Sequence, residues 1–473
     1  MRIRVPDKKT VPVRLSYPVF YLQKKEEKAM NLLNGNIKPI YFKYLSAAFG
    51  SAMITSVYSL VDMAMVGQYQ GPDGTAALAV VAPVWNIIYS LGLLMGIGGS
   101  VIFSTVRGQE TQKSGNENEY FTAAVIGSVI LAFVSWTAII FFDKPILLFF
   151  GADNSLLSLA KTYLAPVKAV IPLFLFNQML AAFLRNDNHP ELATAGVLAG
   201  GLFNVVGDYI FVFTFDMGIM GAGLATAAGS GISFAVMLSH FWSKKNSLVL
   251  RKTTGIARKL RKILVTGFPT FFIDIAMGIL TVLFNRQIMK YLGSNALAVY
   301  GPVINISTIV QCCAYSVGQA AQPIISINFG AKKWQRIKET LRYALYTVGV
   351  FSIFWTALGL IYPNLYIYIF MKPTKTILDI APSIIRCYSI SFILLPLNIF
   401  STYYFQVLMK PRAAFFCICF QRLHCQRNFN YAVADYSRGK FHMVCNADYR
   451  IISCCLCCIY DESIYKGVNK RGF

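Results

Sequence analysis

The sequence predicts an all-α integral membrane protein of twelve helices, arranged as two six-helix lobes related by a parallel internal repeat. The first observation behind this prediction is composition, since 56% of the 473 residues are hydrophobic and only 14% are charged. Soluble domains contain about a quarter charged residues. The second observation is a duplicated segment, and the third is the alternation of basic and uncharged loops.

Ten apolar segments precede residue 410, and each is long enough to cross a bilayer, which takes about 20 residues. They cover residues 41–66, 76–103, 121–142, 162–184, 192–214, 219–240, 263–290, 296–327, 341–361 and 384–409. Residues 1–40 form an N-terminal extension without a cleavable signal pattern. Because a second plausible start, "MNLLNGNIKPIYFKYL", begins at Met30, we expect residues 1–29 to be the leader of a bacterial gene.

The two halves of the chain share a segment. Residues 74–87, "GTAALAVVAPVWNI", and residues 293–306, "GSNALAVYGPVINI", align without a gap at an offset of 219, with nine of fourteen positions identical. That offset indicates a half-protein duplication rather than a solenoid. Six spans separate the copies, so both halves enter the membrane in the same direction. A weaker echo relates "IPLFLFNQ" at residue 171 to "LPLNIFST" at residue 395.

We expect a first lobe at 41–242 with helices 1–6, a basic linker at 243–262, and a second lobe at 263–416 with helices 7–10. The linker has eight cations and no acid. Loops after spans 2, 4, 8 and 10 are also basic, whereas those after spans 1 and 5 are not. By the positive-inside rule this places the N-terminus and the linker in the cytoplasm. The net charge of +23 therefore indicates topology, with lipid or nucleic-acid binding by the linker as the alternative.

Residues 417–473 break the pattern. They hold eight of the eleven cysteines, but no paired CxxC spacing recurs, so a metal site is not expected. A change of reading frame near Phe416 explains this tail better. If permitted codons are chosen from Cys417 onward and the first base is dropped, the new frame can spell two apolar helices with a Pro-Gly turn. We therefore expect helices 11 and 12 to be disrupted.

Glycines are dense at 92–99, "GLLMGIGG". A phosphate-binding loop is excluded because no strand precedes them and no Gly-Lys-Ser/Thr follows. The prediction is close helix packing.

Three carboxylates interrupt the apolar spans. Asp62, Asp208 and Asp274 lie within spans 1, 5 and 7, where a charged group costs about 2.5–3.5 kcal/mol on insertion scales. Asn204 lies four residues before Asp208, on the same helix face. Shielding from water favours protonation of a carboxylate, whereas carboxylates with Asn and Thr oxygens also suit a small hard cation. A purely structural role in hydrogen bonding between helices is the third alternative.

Several segments together resemble the multidrug and toxic compound extrusion (MATE) family, particularly its bacterial MepA-like and DinF-like members. They are "VDMAMVG" at residue 61, "ALAVVAP", "FNQMLAAFLRND", "NVVGDYIFVF" and "MGIMGAGLATAAG". The resemblance covers about Met30 to Phe416. It implies a MATE-type twelve-helix antiporter that exports amphipathic, often cationic drugs across the plasma membrane by alternating access, coupled to inward flow of protons or sodium.

In similar proteins the first lobe holds the ion-coupling site. Carried over position by position, the resemblance implies this role for Asp62, Asn177, Asn204, Asp208 and Thr226, with sodium possible at Asp62, Asn204 and Asp208. Asp274 does not transfer and stays a candidate for a substrate or second-lobe site. Beyond the coupling ion no cofactor is expected.

The expected partners are amphipathic or cationic small molecules and the lipid bilayer, with no nucleic acid, and the chain is expected to be a monomer. An enzyme is not predicted, because no nucleophile–base pair or metal-ligand spacing is present. Two alternatives to drug export stay open. One is a lipid-linked oligosaccharide flippase of the same superfamily, which would favour a cationic cavity. The other is an inactive product caused by the loss of helices 11 and 12.

Overall fold

The computed structural model describes residues 32–109, 116–370, 375–410 and 413–414, and within these ranges it contains helices and no strand. Eight helices there are long and apolar enough to cross a membrane. Large apolar side chains are exposed on them, such as Phe133 at 63% and Ile353 at 71%, as expected for surfaces in contact with lipid. The all-α membrane prediction is confirmed. The predicted leader at 1–29 and the predicted frame-shifted tail at 417–473 lie outside the described residues.

Ten helical segments follow one another along the chain. They are α1 Ile37–Gly71, α2 Asp73–Gln109, α3 Glu117–Phe149, α4 Leu156–Asn186, α5 Pro190–Thr214, α6 Gly218–Trp242, α7 Ile256–Gly330, α8 Trp334–Ile361, α9 Pro363–Phe370 and α10 Ile377–Val407. The predicted loop after span 1 is nearly absent, because α1 and α2 join at Gly71, whose φ of 68° suits glycine. Helix α7 begins at Ile256, inside the segment that the sequence marks as linker, and it contains both the seventh and the eighth spans.

Helix α7 folds back on itself. A side chain at Gly98 of α2 would collide with the carbonyl oxygen of Ile263, while Ser100 of α2 accepts a hydrogen bond of 3.1 Å from Gln322. Residues 263 and 322 of one straight helix would lie about 90 Å apart. Helix α7 therefore forms two arms, a first arm beginning at Ile256 and a second arm ending at Gly330. Both arms pack against α2.

The two lobes meet through a reciprocal pair of contacts between α2 and the second arm of α7. A side chain at Gly108 would collide with the carbonyl oxygen of Ile327, and one at Gly330 with the carbonyl oxygen of Thr105. Ile327 lies 222 positions after Thr105, and Gly330 lies 222 positions after Gly108. Each residue of one contact therefore has its repeat counterpart in the other contact. This pseudo-twofold relation is what a parallel repeat produces. The offset exceeds 219 by three, so the second copy has three additional residues before this contact.

The weaker sequence echo also corresponds to a shared local structure. A 3₁₀ turn, Lys168–Val170, precedes the helical segment Ile171–Asn186, and another, Ile390–Ile393, precedes Leu395–Val407. In both segments a proline occupies the first helical turn, where its missing N–H removes no intrahelical bond. The two halves thus match in helix geometry at this point as well as in sequence.

A shared apolar core holds the lobes together. One cluster of buried side chains joins α1 and α2 to the second arm of α7, α8 and α10. A second cluster lies mainly among α2 to α6 of the first lobe. A third cluster of the first lobe includes Val66, Tyr163, Val212 and Ala222, and the polar groups described next lie beside it.

Candidate functional site

A chain of hydrogen bonds crosses the first lobe and includes three of the five residues carried over from the family. The Tyr163 hydroxyl donates to Asp62 Oδ2 over 3.3 Å and lies 3.3 Å from Thr226 Oγ1. Asn204 Nδ2 donates to the same Thr226 oxygen over 3.1 Å. Since these four residues belong to α1, α4, α6 and α5, the chain ties four helices of the lobe together.

The remaining two predicted residues adjoin this chain. Asn177 Nδ2 donates to the carbonyl oxygen and to Oγ of Ser230 over 3.0 and 3.1 Å, one helical turn beyond Thr226. Asp208 is fully buried one turn beyond Asn204, and its carboxyl group is close enough to Asp62 for the two to interact electrostatically. The structure therefore brings all five into one region. We call it the first-lobe polar cluster: Asp62, Tyr163, Asn177, Asn204, Asp208 and Thr226.

Two glycines set the spacing of this cluster. A side chain at Gly200 of α5 would collide with the carbonyl oxygen of Gly229 on α6, and one at Gly229 would lie 2.6 Å from the carbonyl oxygen of Gly200. The two backbones can approach this closely only without side chains at these positions. Asn204 lies one turn after Gly200 and Thr226 one turn before Gly229, so the glycine contact brings these polar side chains within hydrogen-bonding distance.

The cluster contains five buried oxygens with no hydrogen-bond partner among the described residues. They are Asp62 Oδ1, Asn177 Oδ1, Asn204 Oδ1 and both carboxylate oxygens of Asp208. A buried acceptor left without a donor costs about 1–3 kcal/mol, and more when it is charged. Carboxylate and amide oxygens are ligands for small hard cations, and a carboxylate can also take up a proton. The residues present therefore fit a bound cation or proton.

A cavity lies beside the cluster, at the interface of the lobes. Its volume is about 870 Å³, open solvent included. Asn177, Asn204 and Thr226 line it on the first-lobe side, and Tyr315 and Gln319 line it on the second-lobe side. The first-lobe polar cluster thus borders the cavity between the lobes.

Asp274 belongs to the opposite wall and not to the first-lobe polar cluster. Its carboxylate accepts a 2.8 Å hydrogen bond from the Tyr315 hydroxyl and a 3.1 Å bond from Ser90 Oγ. Because Tyr315 lines the cavity, Asp274 places negative charge behind its second-lobe face.

Two arginines counted as loop cations in the sequence are buried. Arg185 is 6% exposed and lines the cavity, and Arg107 is 7% exposed. Arg107 Nη1 lies 3.2 Å from Asp187 Oδ1, and His240 Nε2 lies 2.7 Å from Asp187 Oδ2. Ser247 of the linker also hydrogen-bonds to Asp187. Since a buried charge needs a partner, these residues attach the linker to the first lobe.

Sequence reasoning missed Tyr163, Ser230 and Tyr315. Tyr163 is one of 26 tyrosines, and no spacing pattern distinguishes a tyrosine that bridges two site residues from one that packs in the core. Their roles become visible only when the helices are placed side by side.

Two lobes related by a parallel repeat, with a cavity between them, form an architecture that helical membrane transporters use. A family model described as MatE matches residues 47–210 and 269–425, one match in each half. The chain belongs to the MatE family.

Curated relatives include multidrug export proteins MepA. That of Staphylococcus saprophyticus is 24% identical over 303 residues, which is 63% of this chain and 66% of the relative. That of Staphylococcus aureus strain MSSA476 is 24% identical over 305 residues, 64% of this chain and 66% of the relative. The match thus spans slightly less than two thirds of these relatives.

Solved structures share the fold over more of the chain. One titled as MATE in complex with MaD3S gives a TM-score of 0.82 at 19% identity, over 94% of this chain and 99% of that one. An outward-facing multidrug resistance MATE family transporter of the MOP superfamily gives 0.76 at 20% identity, over 86% and 90%. The predicted two-lobed MATE architecture is confirmed, with helices 11 and 12 outside the described residues.

Proposed function

We propose that this protein is a cation-coupled antiporter that exports amphipathic or cationic drugs across the bacterial plasma membrane, with its N-terminus in the cytoplasm. The observation that carries the proposal is the set of five buried, unpartnered oxygens of the first-lobe polar cluster beside a cavity at the lobe interface. The names of the MepA relatives, which are multidrug export proteins, support the direction and substrate class.

Coupling between cation entry and drug export follows from binding of the cation to the first-lobe polar cluster. A proton or sodium ion bound by Asp208, Asp62 and Asn204 would satisfy oxygens that otherwise lack a partner. The cation then stabilises whichever arrangement of α1, α4, α5 and α6 brings these oxygens together. A ligand shifts such an equilibrium only by its different affinity for the two states, so cation entry from outside drives the lobe to the state with low drug affinity. Alternating access of the two lobes completes the cycle.

The cavity suits a flat organic cation. Tyr58, Tyr89, Phe174 and Tyr315 contribute aromatic surface to its lining, and aromatic faces attract cations. Asp274, bonded to Tyr315, supplies a negative charge near this wall. A lipid-linked oligosaccharide carries a pyrophosphate, for which the lining offers one cation, Arg185. The carboxylates of Asp62, Asp208 and Asp274 lie behind the lining, and the MepA relatives are multidrug export proteins, so we favour drug export over the flippase alternative.

Dye efflux tests the proposal directly. Cells expressing the chain, loaded with ethidium, are expected to lose dye upon imposition of a proton or sodium gradient, and the gradient that supports efflux identifies the ion. Asp208→Asn is expected to abolish the gradient-driven part. Asp153→Asn, at an exposed acid that accepts the Leu156 N–H, is the charge-matched control and should leave efflux unchanged. Efflux that is indifferent to Asp208→Asn would remove the coupling role, and the absence of efflux under any gradient would remove drug export.

A further inference from the structure

A basic groove opens between the start of α3 and the first arm of α7, and it shares no lining residue with the cavity between the lobes. It has a volume of about 800 Å³, open solvent included, and is lined by Tyr120, Thr254, Gly255, Arg258, Lys259 and Lys262. The two helices are in close contact just below it, since a side chain at Gly127 of α3 would lie 2.8 Å from Leu260 Cδ2. The groove is therefore a cleft between packed helices and not a gap between separate parts.

The groove carries positive charge that carboxylates of the described residues neutralise only in part. Lys259 is paired with Glu119 and also bonds to Thr253. Arg258 and Lys262 are exposed, and no carboxylate of the described part of the chain lies within ion-pair distance of either. Two cations with available charge therefore flank a cleft that also presents the Tyr120 side chain.

The face of α7 that carries these cations becomes apolar within one turn. Arg258, Lys262 and Val265 follow one another at helical spacing, and Val265 is 51% exposed. Leu264 and Phe268 are also exposed, at 39% and 43%. In a membrane protein an exposed apolar face contacts acyl chains, whereas cations beside it lie at the level of the headgroups. A water-soluble phosphate or a nucleic acid would use the cations but not the apolar surface directly beneath them.

We infer that this groove is a binding site for an anionic phospholipid of the leaflet on the linker side. Arg258 and Lys262 contact the headgroup phosphate, the Tyr120 hydroxyl can donate to it, and one acyl chain lies along Val265 and Phe268. Basic pockets between transmembrane helices bind anionic headgroups in this manner. The site is independent of the drug cavity and does not require the proposed export activity.

Native mass spectrometry of the purified protein tests the site, with phosphatidylglycerol and phosphatidylcholine of equal chain length as probes. Phosphatidylglycerol is expected to be retained at one site. The double change Arg258→Gln and Lys262→Gln should weaken its binding roughly 30-fold, since each juxtamembrane cation raises the affinity for an anionic lipid about fivefold. The matched control is Lys244→Gln with Lys245→Gln, which removes the same charge from exposed linker residues outside the groove.

Several outcomes would overturn the inference. Equal weakening by the control pair would show general attraction to the linker, and equal retention of phosphatidylcholine would show no recognition of charge. Displacement of the lipid by equimolar free glycerol phosphate would make a soluble phosphate the occupant. If the double variant does not fold, Arg258→Gln and Lys262→Gln are measured singly, each with an expected loss of about fivefold, and no loss in either contradicts the site.

Discussion

His240 Nε2 and Asp187 Oδ2 lie 2.7 Å apart at the linker end of the first lobe, where both side chains are almost fully buried. The same carboxylate faces Arg107 through its other oxygen, at 3.2 Å. Asp187 is therefore the common partner of a cation from α2 and an imidazole from α6. Asp187 lies in the short connection between α4 and α5, so its contacts hold the ends of α2, α4 and α6 together.

Asp187→Asn is expected to lower the stability of the folded protein by about 3–5 kcal/mol, because it leaves Arg107 buried without a counter-charge. The measurement is the thermal melting temperature of the purified protein in detergent. Glu191→Gln is the control, since its pair with Lys43 is largely exposed, and such pairs contribute about 1 kcal/mol or less. Equal melting temperatures for the two variants would contradict the buried role of Asp187.

Gly98→Ala is expected to destabilise the contact between α2 and the first arm of α7 by about 1–3 kcal/mol, the usual cost of overpacking. The added methyl group would meet the Ile263 carbonyl oxygen and the backbone of Gly267. Gly349→Ala makes the same chemical change in α8 at a position with open space around it. It should be neutral or stabilising by up to about 1 kcal/mol. Thermal melting of both variants decides, and a neutral Gly98→Ala would refute the close contact.

Tyr163→Phe removes the hydroxyl that bridges Asp62 and Thr226 while it keeps the ring. Hydrogen bonds to charged groups contribute about 1.5–3 kcal/mol. Because this bond stabilises the ionised, cation-free carboxylate of Asp62, its loss should lower the concentration of coupling cation that gives half-maximal efflux about tenfold or more. The exposed Tyr362 offers the matched Tyr362→Phe control, which should leave this concentration unchanged. An identical cation dependence in both variants would exclude Tyr163 from the coupling site.

Asp274→Asn is expected to raise the KM for a cationic dye about tenfold and to change the KM for an uncharged substrate much less. The reason is that the substitution removes the negative charge, while the amide oxygen can still accept one of the two hydrogen bonds that Tyr315 and Ser90 donate to Asp274. Asp379→Asn, at an exposed acid of α10, controls for a general loss of charge. A parallel rise for charged and uncharged substrates would indicate a structural role for Asp274.

Restoration of the reading frame from Cys417 is expected to increase efflux several-fold, because two apolar helices would complete the second lobe. The comparison is between cells expressing the present chain and cells expressing the frame-restored chain at equal protein levels in the membrane. Equal efflux would show that the last two helices are dispensable. Sequencing of the gene across Phe416 tests the frame change itself.

The sequence predicts the helices well because a bilayer imposes a length of apolar chain that is visible without knowledge of packing. It predicts their ends less well. Span 3 is predicted at 121–142, whereas α3 runs from Glu117 to Phe149, since helices continue beyond the apolar stretch until a turn residue or a cap ends them. The loop predicted between spans 1 and 2 is reduced to a kink at Gly71, because hydrophilic residues there are compatible with helix.

The sequence likewise predicts some residues of the candidate site and misses others. Asp62 and Asp208 stand out because carboxylates in apolar spans are rare. Arg107 does not stand out, because a cation at the end of a span reads as a loop residue, and its burial depends on Asp187, 80 residues away in sequence. Contacts of this kind arise from how helices pack, which residue spacing within one helix does not encode.

The reciprocal contacts of Gly108 with Ile327 and of Gly330 with Thr105 have the form of an isologous interface, in which one surface binds a second copy of itself. Here both copies reside in a single polypeptide. A six-helix ancestor with this surface could have paired as a homodimer, in which one mutation alters both contacts at once. After gene fusion the two contacts mutate separately, so the halves can diverge, and the carboxylates of the first-lobe polar cluster need not be mirrored in the second lobe.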